Sequence, residues 1–321
     1  MIQVKNLTKY FGPVQAIDRI NFDVDQGEIV GFLGPNGAGK TTTMRILTSY
    51  LPATSGVARV AGYDVMTESM QVRRNIGYLP ESVPLYSEMR VEEYLVYRAK
   101  LKGLGRKERV PRLEFCLDRC RLREVRRRLL GTLSRGYRQR VGLADAMIHD
   151  PPILILDEPT AGLDPIQIRE TLALIRELGE KHTVLLSTHI LSEVEAICER
   201  VIIINAGRVG FSRSLAEIEQ EAVILLDVRG PADAVAGAVR SIGGVAQLTP
   251  REPADGVAAF EIRTQENRDL REEISKAVSD RGWLICRLDR KHRKLEDAFF
   301  QVLREEDPLK EAARTSEAIK K

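Results

Sequence analysis

Long apolar runs are missing from this chain. The longest stretches, such as residues 153–156 and 201–204, fall far short of the ~18 residues needed to cross a bilayer. A membrane-spanning helix is therefore not expected. No sign of charge dominates either: 49 Lys+Arg stand against 46 Asp+Glu, a formal +3. That balance disfavours a surface that is basic all over, and with it blanket nucleic-acid binding. Cysteine is sparse, at four residues, which excludes a disulfide framework in a chain of this size. Cys116 and Cys120 have the spacing to share a helical face, but with no nearby His or second Cys pair they read as buried small hydrophobes. A reducing, cytoplasmic setting fits that usage. The opening residues, MIQVKNLTKYFG, alternate and carry lysines, so neither a secretory apolar core nor a targeting helix is expected there.

What is present is a globular composition, 43% hydrophobic and 30% charged over 321 residues. That length suggests about two domains. Residues 2–8 and 20–24 alternate polar and apolar, the pattern of antiparallel strands. Residues 28–33 form a near-continuous apolar run that leads through a Gly-rich turn into a helical pattern ending near 47. Residues 91–130 read as helical and charge-rich. Short apolar strands at 153–156 and 183–187 flank an amphipathic helix at 165–180, the signature of a buried parallel sheet. A helix at 192–200 and a strand at 201–205 follow. Beyond about 218 the order strand, helix, strand, strand, helix, strand suggests a small ferredoxin-like α+β unit, with a charged tail from 304.

Chemistry enters at Gly34-Pro-Asn36-Gly37-Ala38-Gly39-Lys40-Thr41, which matches G-x-x-x-x-G-K-[ST] between a strand and a helix. Glycines let backbone N–H groups converge on phosphates, and the following helix presents its positive end. Lys40 supplies a point charge, and the Thr41 hydroxyl can ligate Mg²⁺; Thr42 completes the candidate binding stretch. An apolar strand then ends in two acids, Asp157 and Glu158. Asp157 suits Mg²⁺ contact, and Glu158 suits a general base for water. No N-K-x-D guanine-reading motif is present, so GTPase falls away. His189 stands just past the strand 183–187, where ligands sit on open α/β sheets.

With those residues stands Leu133-Ser134-Arg135-Gly136-Tyr137-Arg138-Gln139, which resembles the signature motif of the ATP-binding-cassette (ABC) ATPases. Ala161-Gly162-Leu163-Asp164 resembles that family's D-loop, His189 its switch histidine, Phe11 its adenine-stacking aromatic, and Glu81 falls at its Q-loop position. Arg135 and Tyr137 replace the more usual Gly and Gln, and Glu81 replaces Gln. The resemblance covers about residues 1–215. It implies an α/β fold, a P-loop NTPase cassette with a mixed sheet core, an antiparallel β subdomain and an α-helical subdomain. The expected division is an ABC ATP-binding domain at 1–218, a small α+β accessory domain at 219–303 and a charged tail at 304–321.

The resemblance further implies an ATPase using ATP and Mg²⁺ that works as a head-to-tail dimer with a second copy or a related subunit. Ser134 and Gly136 would face the γ-phosphate held by the partner's P-loop. Glu158, His189 and Lys40 are the expected catalytic groups, Thr41, Glu81 and Asp157 the expected metal site, and Asp164 the link between the two sites. The branch resembled, with its drug-, ion- and gliding-motility-type ATPases, pairs with separate multi-span permease subunits, which implies a peripheral location on the cytoplasmic face of the membrane. A soluble ABC ATPase acting on ribosomes or DNA is the rival, disfavoured by the single cassette and the lack of coiled-coil insertions. One feature stands apart: residues 102–128 hold eleven basic residues and four acids, a local +7. A solvated helical face, or contact with a permease loop or anionic lipid, is expected there. Nucleic acid makes no strong case, because aromatic stacking platforms are not interleaved with the charges.

Overall fold

The computed structural model describes residues 1–220, 222–251, 257–292 and 294–305, so residues 306–321 of the expected tail lie outside the described residues. The chain divides into two compact units, one of Met1–Ser214 rejoined by the chain from Phe299, the other of Leu215–Ala298.

In the first unit β1 (Ile2–Phe11) and β2 (Val14–Val24) form an antiparallel hairpin. Ile2, Val4 and Leu7 are buried although Leu7 breaks the period of two; Asn6, at φ +48°, shifts the register and turns Leu7 inward. β3 (Ile29–Leu33), buried at every position, leads through the Gly-rich loop into α1 (Lys40–Leu47). Next come β4 (Ser55–Val60), β5 (Tyr63–Asp64), α2 (Ser69–Asn75) and β6 (Ile76–Leu79). The stretch expected to be helical at 91–130 resolves into α3 (Val91–Leu101) and α4 (Arg106–Arg119) followed by short 3₁₀ turns, and a further helix, α5 (Arg135–Met147), lies beyond it. Then β7 (Ile153–Asp157), α6 (Pro165–Gly179), β8 (Thr183–Thr188), α7 (Leu191–Ile197), β9 (Arg200–Asn205) and β10 (Arg208–Ser214) follow. The helix expected at 192–200 is thus shorter, because Cys198 is extended and Arg200 already pairs in β9.

Two sheets arise from these strands. One is antiparallel, in the order β2-β1-β4-β5; the other runs β10-β9-β3-β8-β7-β6 and is parallel except at its β10 edge. Strands buried on both faces carry no alternation, which is why β3, β7 and β8 read as plain apolar runs. In register, Leu33 lies beside Thr188 and Asp157 beside Ser187. The loops after β3, β7 and β8 therefore leave the sheet side by side.

The second unit contains α8 (Leu215–Gln220), β11 (Ala222–Arg229), α9 (Ala232–Arg240), β12 (Val245–Pro250), β13 (Ala258–Thr264), α10 (Arg271–Ser279) and β14 (Leu284–His292); α11 (Leu295–Glu305) ends the described chain. Its antiparallel sheet has the order β12-β13-β11-β14, a split β-α-β arrangement. Ile224, Leu226, Phe260 and Ile262 on one sheet face bury against Val235 and Val239 of α9 and Ile274 and Val278 of α10.

The basic segment 102–128 is not the open cationic face its composition suggests. Arg112 pairs with Asp150, Arg119 with Glu177, Arg121 with Glu170, Arg123 with Asp118, and Arg126 with Glu92. Exposed and half-exposed pairs of this kind contribute only about 0–1 kcal/mol each, so they neutralise more than they stabilise. The segment also holds an aromatic after all: Phe115 lies under the guanidinium groups of Arg112 and Arg119, at 4.8 and 5.6 Å, and so is not free for stacking. Among the described residues, Arg128 and Lys102 bond only to backbone carbonyls, and Arg106, Lys107, Arg109 and Arg127 have neither an ion pair nor a hydrogen bond from their side chains.

Lys102 is half-buried, its Nζ donating to the carbonyls of Arg73 (3.0 Å) and Ile76 (3.4 Å). Burial, aided by Arg98 and Arg73 and opposed by Asp145, brings its pKa down to about 8. Unfolded, the lysine holds its proton to about pH 10.4. Between those values the unfolded chain binds more protons, so this group makes stability rise with pH, by up to about 1.4 kcal/mol per pH unit. Chemical denaturation from pH 7.5 to 10.5 should give a flatter profile for Lys102→Met than for the wild type; parallel profiles would contradict the burial argument.

Candidate active site

The loop between β3 and α1 has no room for side chains at its start: a Cβ on Gly34 would lie 2.3 Å from the Ile204 carbonyl. Ala38 is buried within the loop, its N–H donating to the Pro35 carbonyl. The rest of the loop opens on a cavity of about 430 Å³. Asn36, Gly37, Gly39, Lys40, Thr41 and Thr42 line one wall, and Glu81, Glu158 and His189 approach from other segments. Ala161, from the D-loop resemblance, and Ala16, which the sequence did not single out, complete the lining.

Lys40 begins α1 and is almost wholly buried. Its Nζ donates to the carbonyls of Gly34 (2.8 Å) and Pro35 (3.2 Å) and lies 3.3 Å from Glu158 Oε1. Glu158 also meets His189, whose Nδ1 is 2.9 Å from Oε2; a proton on Nδ1 makes it the donor. One carboxylate thus joins the loop lysine to the histidine after β8. Glu158 holds a left-handed backbone, φ +49°, which costs a non-glycine residue about 1 kcal/mol or more. Its N–H donates to Ser187, at 3.1 Å from both the carbonyl and Oγ. Turning sharply at Glu158 swings its side chain off the end of β7 and over the cavity.

Asp157 sits beneath, fully buried at the end of β7. Its Oδ1 accepts from Ser187 Oγ at 2.5 Å and from Thr41 Oγ1 at 3.2 Å, while Oδ2 is buried with no partner. Burial raises its pKa, opposed by the two hydroxyls and reinforced by the charges of Glu158 and Glu81. Ser187 was read only as strand, yet it binds both Asp157 and the Glu158 backbone. Its one sequence signal is a hydroxyl inside an otherwise apolar strand.

The remaining expected residues are not brought into this cavity. Phe11 ends β1, about half exposed, with Lys9 Nζ 5.1 Å from its ring centroid. Ser134 caps α5, its Oγ accepting from Tyr137 N, and Asp164 caps α6, accepting from the N–H groups of Ile166 and Gln167. Gly136 lies where α5 meets α6, and a Cβ there would strike Gln167 Oε1 at 2.4 Å. The unusual Arg135 rests its guanidinium against Gly162, tying the start of α5 to the loop before α6.

A family profile described as ABC transporter matches residues 17–161. An uncharacterised ABC transporter ATP-binding protein of Bacillus subtilis (strain 168), YxlF, is 33% identical over 304 residues, spanning 94% of this chain and 99% of its own. The bacitracin transport ATP-binding protein BcrA of Bacillus licheniformis is 39% identical over 210 residues, 65% of this chain and 68% of its own. Among solved structures, the dimeric post-hydrolysis state of an ATP-binding cassette bound to ADP and Pi matches with a TM-score of 0.62 at 27% identity, covering 67% of this chain and 99% of that one. A phosphate-binding loop whose lysine meets an acid–histidine pair, set in this fold and among these relatives, leads to one conclusion: the chain belongs to the ABC transporter family and is an ATP-binding subunit that hydrolyses ATP.

Proposed function

We propose that the chain powers transport across a membrane, with ATP-driven dimer closure coupled to separate multi-span permease subunits and transport directed outward. The observation that carries the reading is the cavity joining Lys40, Thr41, Asp157, Glu158 and His189. In it Lys40 gives its charge to phosphate oxygens, Glu158 takes a proton from the attacking water, and His189 contacts the γ-phosphate and holds Glu158 in place. Phe11 stacks on the adenine. Ser134 and Gly136 lie outside the chain's own cavity, which suits contact with nucleotide held by a second subunit, and Asp164 links the two sites.

Mg²⁺ fits the residues present. Thr41 and Asp157 offer hard oxygen donors side by side, the buried Oδ2 of Asp157 has no other partner, and Glu81 borders the same space. When bound, the cation neutralises phosphate charge. Thr41, Asp157 and Glu81 are the residues that would hold it.

Permease contact suits a second cavity of about 780 Å³, lined by Arg45, Arg73, Arg98 and Lys102 with Tyr50, Tyr78 and Tyr94. Among the described residues no helix is long and apolar enough to cross a membrane, in keeping with a peripheral subunit on the cytoplasmic face. A relative named for bacitracin transport supports a peptide-antibiotic-like cargo. Affinity purification of the tagged chain from membranes of its source should recover a multi-span protein and Mg²⁺-dependent ATPase activity. Recovery with ribosomes or DNA instead would overturn the transport reading.

A further inference from the structure

Two loops bring Glu158 and His189 together, and a single buried carboxylate holds both loops from behind. Glu193, in α7, is 2% exposed. Its Oε1 accepts from Thr160 Oγ1 at 2.6 Å, and its Oε2 accepts from Thr188 Oγ1 at 2.6 Å. Thr160 follows Glu158 by two residues, and Thr188 immediately precedes His189. Both threonines are themselves buried, and Thr188 Oγ1 also accepts from Ile190 N at 3.1 Å. Among the described residues no cation lies within ion-pair distance of Glu193.

Burying a carboxylate without a counter-charge is expensive. Here each oxygen takes one short hydroxyl bond, one from the loop after β7 and one from the end of β8, and the carboxylate stands in the first turn of α7, where the helix end favours negative charge. A carboxylate is rigid, so the two threonines are kept at a set spacing. That spacing carries through short covalent links to Glu158 and His189, which stand 2.9 Å apart.

We propose that Glu193 is a positioning residue for ATP hydrolysis: its carboxylate, bridging Thr160 and Thr188, sets the separation of Glu158 and His189. The proposal rests on the reading of those two groups as the hydrolytic pair. A misplacement of about 1 Å at such a pair costs on the order of 10²-fold in rate.

The test is steady-state Mg²⁺-ATP hydrolysis by the full-length chain, with thermal denaturation of each variant. Glu193→Ala should lower kcat by roughly 10- to 100-fold while leaving KM for ATP within about twofold. Glu193→Gln, which keeps one acceptor oxygen, should recover much of that loss. Thr188→Val, nearly isosteric, should lower kcat in the same KM-neutral way, with its thermal denaturation showing the folded state. In a His189→Ala background, where no pair remains to be spaced, Glu193→Ala should cost no more than about twofold. Full kcat in Glu193→Ala, or an equal loss with and without His189, overturns the proposal. Failure of the underlying reading has a separate signature, which is wild-type turnover in Glu158→Gln.

Discussion

Replacing Glu158 with glutamine is expected to leave the subunit able to bind ATP and nearly unable to hydrolyse it. The amide has the shape of the carboxylate but cannot accept a proton from water. Loss of a general base typically removes 10²–10⁴-fold from the rate, roughly 3–5 kcal/mol of barrier. Binding responds in the opposite direction. Lys40 Nζ lies 3.3 Å from Glu158 Oε1, so this carboxylate competes with phosphate for the lysine that lines the cavity. Neutralising it frees Lys40, and ATP affinity should be unchanged or higher. A dimer closed on ATP would then have no route to opening by hydrolysis, and should persist in size-exclusion chromatography with Mg²⁺-ATP while the wild type returns to monomer. Wild-type turnover in this variant would remove Glu158 from the base role.

How much of this site could be read beforehand depends on whether chemistry dictates local sequence. The phosphate loop could be read because close backbone approach demands glycine at Gly34 and the lysine must begin the next helix. Asp157 and Glu158 could be read because two acids ending an apolar strand have few structural uses. Ser187, Thr160 and Glu193 could not, since their roles exist only when β7, β8 and α7 lie side by side. Nothing in the sequence around Glu193 sets it apart from Glu195 and Glu199 nearby. The segment 102–128 failed for a related reason: several of its neutralising acids, Glu92, Asp150, Glu170 and Glu177, lie outside it and reach it only through packing. Local charge counts see neither distant partners nor burial. In the fold the same limit appears at β1, where the one-residue shift at Asn6 interrupts an otherwise regular alternation.

Lys40→Ala is the second substitution with a large expected effect, and its consequences divide between binding and folding. Lys40 is held by the Gly34 and Pro35 carbonyls and by Glu158. With nucleotide present, its bonds to phosphate are charge-assisted on both sides, worth about 1.5–3 kcal/mol, so ATP affinity should fall roughly 10- to 150-fold. A direct binding titration reads this without relying on turnover. Without nucleotide, alanine strands Glu158, which is buried and, among the described residues, keeps only His189 as a side-chain partner. Removing one member of a buried pair can cost about 3–5 kcal/mol; the exposure of His189 and access of water to the cavity bring the expectation towards the low end. Removing the stranded charge as well should then recover stability. The double variant Lys40→Ala/Glu158→Gln is expected to unfold at a higher temperature than Lys40→Ala alone, although it lacks one more polar contact of the native chain. If the double variant instead showed the summed destabilisation of the two single changes, the Lys40–Glu158 contact would carry no coupling. Its part in holding Lys40 and Glu158 together would fall, and with it any gain in ATP affinity for Glu158→Gln.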